Sequence, residues 1–301
     1  MPFVETLFAS LRKQEANVTL HVLVTDDNFR NPLTEGLHIH ALSQVKDDLM
    51  IDRIMHQYQG NNNHLRWALK PVFIRHLLKN HDAIIYVDND ICFFHPFHFL
   101  FEQLKTASIL LTPHWFNLHP YPNPENFDTN FQIGLFNAGF IGASRQGISF
   151  LEWWAEACLY RMERNEPDGF YDDQRFLDMS LLVDENATIV RHRGCNVGSW
   201  NMHQNKRVAI NGKLLIDGKY PIVFIHFNHE TIKHILNGND APLLPYFEEY
   251  KTFFKNTGNV LEDYITSISD WNKQTAFQTI LRKTKIRTRF KSWLFKLSQK
   301  L

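Results

Sequence analysis

Apolar residues recur along this chain with two rhythms, and the switches between them outline its elements. Val4, Leu7, Phe8 and Leu11 fall on one face of a 3.6-residue turn, which predicts a helix over residues 4–13. Residues 18–25 read as a strand that runs into Asp26-Asp27. An amphipathic stretch over residues 63–79 predicts a second helix, with Pro71 tolerable near a first turn or as a kink. It leads into Ala83-Ile84-Ile85-Tyr86-Val87, a β-branched and aromatic run that predicts a strand covered on both faces, and then into Ile91-Cys92-Phe93-Phe94. Beyond Pro96 a helix is expected as far as residue 104, and residues 108–112 read as a returning strand. Residues 114–130 are polar, contain prolines and lack a period, which predicts a loop. Residues 131–143 alternate small and large side chains as a strand does, and residues 146–165 are strongly helical, with Leu151, Trp153 and Trp154 expected in the core. A turn over 168–173 and strands near 188–191 and 221–227 follow, the last presenting His226 at its end.

This alternation of strands and helices is that of an α/β domain, in which ligands bind beyond the carboxyl ends of the strands. Asp88-Asn89-Asp90 closes the strand over residues 83–87 and therefore points where ligands bind. Two carboxylates one residue apart can share a hard cation such as Mg²⁺ or Mn²⁺; the same three residues would also make a solvated turn. Asn137-Ala138-Gly139 sets an amide beside two residues of almost no bulk, which suits close approach of a ligand or a packing bulge. Asp172-Asp173-Gln174 has the composition of an acidic helix N-terminus. Asn196 and Trp200 offer an amide and a ring to a sugar, or support a buried turn.

Composition narrows the classes. The chain has 301 residues, 44% of them hydrophobic, enough for one large α/β domain with a helical C-terminal extension. Its 32 basic and 32 acidic residues balance, so global charge gives no case for a nucleic-acid partner. Cys92, Cys158 and Cys195 are widely separated and lack metal-ligand spacing, which predicts buried free thiols in a reducing cytoplasm. There is no signal-peptide pattern and no apolar run long enough to span a bilayer. Over residues 251–301 the chain reads as helical and turns basic, with Phe290, Trp293, Leu294 and Leu297 at helical spacing among lysines and arginines. Such a helix can lie on the inner face of an anionic membrane as a peripheral contact, or dock on its own domain.

The ordered blocks Trp67-Ala68-Leu69-Lys70-Pro71, Asp88-Asn89-Asp90, Phe136-Asn137-Ala138-Gly139-Phe140, Asp172-Asp173-Gln174-Arg175-Phe176, residues 196–201 and Ile225-His226-Phe227-Asn228 span residues 3–250. In order and spacing they resemble the nucleotide-sugar-dependent glycosyltransferases of the GT-A fold, especially bacterial family 8-like enzymes. The resemblance implies a Rossmann-like mixed sheet flanked by helices, a catalytic domain over residues 1–250 and a helical extension over residues 251–301. It also implies a first, nucleotide-binding strand that would precede residue 1, since this chain opens on a helix. The activity implied is metal-dependent transfer of a sugar from a nucleotide diphosphate, a UDP-sugar, to an acceptor hydroxyl of a glycan or lipid-linked glycan, with retention at the anomeric carbon. Asp88, Asp90 and His226 would hold Mn²⁺, with Mg²⁺ as the alternative, because imidazole suits Mn²⁺ better. Lys70, Asn89, Asn137, Ala138, Gly139, Asn196 and Trp200 would line the donor, and Asp173 and Gln174 would face the reacting carbon. Where the family continues with a glycine and Lys-Pro-Trp, this chain reads Asn228-His229-Glu230-Thr231-Ile232-Lys233-His234, leaving Lys233 as the substitute lysine. Inversion would instead need a carboxylate base, Asp172 or Asp173. The rival expectation is a truncated, non-catalytic GT-A-like scaffold. A phosphatase with an aspartate nucleophile is disfavoured by Cys92, which stands where such enzymes carry Thr or Val.

Overall fold

The computed structural model describes residues 1–25, 34–45, 49–254 and 260–267, and divides the chain into two units, Met1–Phe253 and Phe254–Leu301. In the second unit residues 260–267 are helical. The basic, aromatic stretch over residues 282–300 lies outside the described residues, as do Asp26 and Asp27.

The first unit opens on α1 (Pro2–Gln14), followed by β1 (Leu20–Val24), β2 (Leu37–Ala41), α2 (Leu49–Gln57) and α3 (Asn62–Leu77). Next come β3 (Ala83–Val87), β4 (Ile91–Phe93), α4 (His98–Leu104), β5 (Ile109–Pro113), α5 (Pro124–Gln132), β6 (Phe136–Ser144) and α6 (Ile148–Tyr160). A small hairpin, β7 (Arg164–Asn165) and β8 (Phe170–Tyr171), precedes a 3₁₀ turn over Gln174–Met179, α7 (Ser180–Val183) and β9 (Thr188–Ile189). The meander β10 (Arg207–Ile210), β11 (Lys213–Ile216) and β12 (Tyr220–Pro221) leads to β13 (Phe224–His226), α8 (His229–Leu236) and α9 (Leu244–Phe253).

The fold is α/β with mixed pairing, as the alternation predicts. A four-stranded sheet has the order β3-β6-β5-β9, antiparallel across β3, β6 and β5 and parallel between β5 and β9. β1 and β2 form a separate parallel pair, and β13 pairs antiparallel with β4. Ile54, Leu69, Ile74, Ile141 and Trp154 share one core, which gathers α2, α3 and α6; Leu7, Leu11, Leu100, Leu104, Phe140 and Phe224 share the other, with α1 and α4. β6 lies between these layers with every residue buried, and Gly142 suits it because a β-carbon there would sit 3.0 Å from Leu110 Cβ and 3.1 Å from Leu104 Cδ1. α3 is capped by Asn61, whose side chain accepts from the His64 amide, and carries Pro71 buried in its interior.

Three expectations change. β3 is partly exposed along its length rather than covered on both faces, because among the described residues it pairs only with β6, and it lines a cleft. The expected loop over residues 114–130 contains the start of α5, begun by Asn123, whose side chain accepts from the Asn126 amide, and by Pro124. α5 buries none of its residues, so it has no apolar period to read. Asp173 precedes the 3₁₀ turn without capping it, since its carboxylate is drawn to Lys70 instead. Trp154 is fully buried in the core as expected, and Cys92, Cys158 and Cys195 are free and buried. Among the described residues no helix is long and apolar enough to cross a membrane.

Candidate functional site

β3 delivers Asp88, and a turn closed by the Ile91 amide on the Asp88 carbonyl (3.2 Å) returns the chain into β4 with Asp90 at its base. β13 pairs with β4 so that His226 stands opposite Ile91, next to Asp90. Two local strand ends thus bring together residues far apart in sequence. His226 Nε2 lies 2.9 Å from Asp90 Oδ1 and 4.0 Å from Asp88 Oδ2, and the three side chains can offer ligand atoms all within 4.8 Å of one another. Asp90 Oδ1 is buried and, beyond the charge contact with His226, has no hydrogen-bond partner. An orphaned carboxylate oxygen beside an imidazole nitrogen, with a second carboxylate in reach, fits a divalent cation.

Burial alone would lower the His226 pKa and raise that of Asp90. Their mutual attraction outweighs it, so His226 is raised and Asp90 lowered. Trp200 stands edge-on to the His226 ring at 5.5 Å, and its buried indole N–H has no partner.

Lys70 comes from the buried face of α3. Its ammonium reaches Asp173 Oδ2 at 3.1 Å and Asp88 Oδ1 at 3.5 Å, and donates to the Ala138 carbonyl at 3.2 Å. Burial would lower its pKa, but Asp173 and then Asp88 raise it well above the usual range, so the cation is fixed. Asp173 itself is pushed up to about 6, first by burial and next, against the pull of Lys70, by Asp88. The Asp173 carbonyl accepts from Trp154 Nε1 at 2.9 Å, which ties this loop to the core.

A cleft of about 490 Å³ opens beside these groups. Its walls are β1, the α3 residues Arg66 and Lys70, and β3 through to Asp88, Asn89 and Asp90. Asn89 is exposed at its mouth.

Other expected donor residues serve as braces. Asn137 donates to His114 Nε2 (3.1 Å) and accepts from the Gly139 amide (2.9 Å), so both ends of its amide are engaged. Gln174 accepts from the Ala138 amide (3.1 Å) and donates to the Ile133 carbonyl (3.3 Å), holding β6 rather than presenting a free amide. Gly139 leaves room for His226. Asn196 is fully buried in the left-handed region at φ 58°, which an Asn tolerates, and donates to Thr112 Oγ1 (2.9 Å), while its Oδ1 has no hydrogen-bond partner. Asp172 is held by Arg164 at 2.5 Å, and Lys233 lies on α8 near Glu230. Arg207, its side chain 5% exposed, fixes the loop that carries Trp200: it donates to the Gly198 and Asn205 carbonyls and pairs at 2.9 Å with Asp240, whose side chain is 4% exposed.

Sequence reasoning missed three contributors. The Tyr86 hydroxyl donates to Asp88 Oδ1 at 2.5 Å; alternation along β3 puts residues 86 and 88 on one face and was the available signal. His114, buried and held down to about 4, above all by burial, orients Asn137. Trp154 is legible as core but not as the partner of Asp173.

No protein-family model matches the chain. It is similar to the uncharacterized protein YfnF of Bacillus subtilis (strain 168), 23% identical over 238 residues that cover 76% of this chain and 78% of that one. It is also similar to YfnD of the same organism, 28% identical over 174 residues; that match covers 55% of this chain and about half of YfnD, 53%. Among solved structures, mouse xyloside xylosyltransferase 1 in its apo form aligns with a TM-score of 0.47 at 16% identity, covering 77% of this chain and 94% of that one. The galactosyltransferase LgtC, solved with donor and acceptor sugar analogs, aligns with a TM-score of 0.41 at 12% identity, covering 75% and 82%.

Proposed function

We propose that the protein is a metal-dependent glycosyltransferase that moves a sugar from a nucleotide diphosphate, a UDP-sugar, to an acceptor hydroxyl. The observation that carries this reading is the convergence of Asp88, Asp90 and His226 at the end of β3, beside a cleft large enough for part of a nucleotide. Asp88, Asp90 and His226 would hold the cation, Mn²⁺ in preference to Mg²⁺ because one donor is an imidazole. Bound there, it would neutralise charge on a departing diphosphate.

The chain's own residues supply the remaining parts. Lys70 keeps a fixed positive charge between Asp88 and Asp173, where it adds to the field met by a diphosphate. Asp173, with its raised pKa and its position beside Lys70, is the carboxylate we assign to the sugar's reacting face. Asn137 and Gln174 position β6 through the Gly139 and Ala138 amides, and Trp200 closes the site over His226. Retention of configuration and a glycan or lipid-linked acceptor belong to the same reading.

Calorimetry with UDP as the probe, with and without Mn²⁺, tests the reading on the full chain and its Asp90→Ala variant. Binding that needs Mn²⁺ and is lost in the variant is expected. A folded wild type that ignores UDP at millimolar concentration with Mn²⁺ would overturn it.

A further inference from the structure

Five of the chain's sixteen histidines, His21, His38, His40, His76 and His81, gather away from the carboxylates just described. β1 and β2 run parallel with His21 opposite His38, and strand alternation puts His38 and His40 on the same face of β2. His21 Nδ1 lies 3.0 Å from His40 Nε2. The His21 ring stacks on that of His38 at 4.8 Å and meets His81, just before β3, edge-on at 5.1 Å. His40 meets His76 of α3 at 6.4 Å.

We propose that His21 and His40, joined by the exposed His38, form a second metal site, selective for a nitrogen-preferring divalent ion of the Zn²⁺, Ni²⁺, Cu²⁺ class. Two imidazole nitrogens bound to one such ion at roughly 2.0–2.1 Å, with an angle between a right angle and the tetrahedral one, stand roughly 2.8–3.4 Å apart. The His21–His40 separation, that of a hydrogen bond in the metal-free protein, falls in that range, so a small turn of the rings would direct both nitrogens at one ion. His38 supplies the third nitrogen by turning its exposed ring about its side-chain bonds, and His81 stands behind His21 as a supporting neighbour.

The electrostatics favour ligands over cations. Burial, then the neighbouring imidazoles His38, His40 and His81, hold His21 down to about 4, and burial with His76 and His38 lowers His40. In the metal-free protein the facing nitrogens of His21 and His40 share one proton in a hydrogen bond, which a bound ion would displace. An ion at this place would link β1 to β2, and His21 and His81 both line the cleft, which gives it a route of entry. Its all-nitrogen donor set differs from the two-carboxylate, one-imidazole set of the proposed Mn²⁺ site, so the two should sort ions by softness.

Zn²⁺ titration by calorimetry of the full chain in excess Mg²⁺ tests this, on the wild type, His226→Ala and His21→Gln/His40→Gln. We expect one Zn²⁺ site that survives His226→Ala and is weakened in the double variant by more than the ~10–100-fold that loss of a supporting partner alone costs. Equal Zn²⁺ affinity in the double variant and the wild type, or no Zn²⁺ binding to the wild type, would overturn it. Should the double variant fail to fold, Cu²⁺ paramagnetic resonance of the wild type and His226→Ala decides. Coupling to at least two imidazole nitrogens in both proteins supports the site; fewer in either one sinks it.

Discussion

Gly139 lies directly beneath the imidazole of His226: a β-carbon built on it would fall 2.5 Å from His226 Cε1 and 2.9 Å from Nδ1. The absent side chain is what lets β13 bring its histidine down beside Asp90. Gly139→Ala should therefore push His226 away while leaving the fold intact, at about 1–3 kcal/mol of overpacking. Mn²⁺ affinity should fall at least about tenfold, the equivalent of about 1.4 kcal/mol. Calorimetry alongside a melting curve checks both; unchanged Mn²⁺ affinity would mean that His226 does not coordinate.

Lys70 and Asp173 should respond unequally to neutralisation. Their side chains are only 6% and 5% exposed, but Lys70 serves Asp88 as well. Lys70→Met leaves two acids without their cation and should cost about 3–5 kcal/mol. Asp173→Asn leaves Lys70 paired to Asp88 and should cost clearly less. Urea unfolding of the two variants distinguishes them, and equal losses would deny the shared role of Lys70.

The Arg207–Asp240 pair supports the site from a distance. Removing one partner of a pair this buried should destabilise by about 3–5 kcal/mol. Because Arg207 also binds the carbonyls of residues 198 and 205, Arg207→Met should raise amide exchange through that loop and weaken UDP binding more than Asp240→Asn does. Hydrogen exchange followed by mass spectrometry reads this; exchange confined to β10 would contradict it.

Acid should act through His21. Its folded pKa of about 4 lies below the ordinary 6.5, so between these values the unfolded chain takes up a proton that the folded chain refuses. The resulting stability is present above about pH 6.5 and lost as pH falls towards 4. With chelator present, the melting temperature of the wild type should drop across that window more steeply than that of His21→Gln. Parallel curves would show that the imidazole cluster carries no such linkage.

The two acids at the end of β3 and the α/β alternation were legible because each rests on a short local pattern; the histidine at the end of β13 was joined to them only by the family resemblance. What bound them to their neighbours was not legible. His114 and Gln174 take their roles from the chain crossing over β6, which brings them to Asn137 and Ala138, 23 and 36 positions away; Tyr86, two residues from Asp88, was within reach of strand alternation. α5 escaped notice because an exposed helix has no apolar stripe, and β3 was overfilled because a strongly apolar run looks alike at a covered strand and at one bordering a cleft. The full burial of Asn196 was not legible, because an amide in a polar loop carries no mark of facing inward.

The bond from Trp154 to the Asp173 carbonyl gives the interior a hold on the chemistry. A phenyl ring in place of that indole would keep the core oily and nearly full, yet it would release the backbone that aims Asp173. If Asp173 works as proposed, turnover is exposed to substitutions that no ligand ever touches, and a screen confined to the walls of the cleft would pass over the screw that sets its alignment.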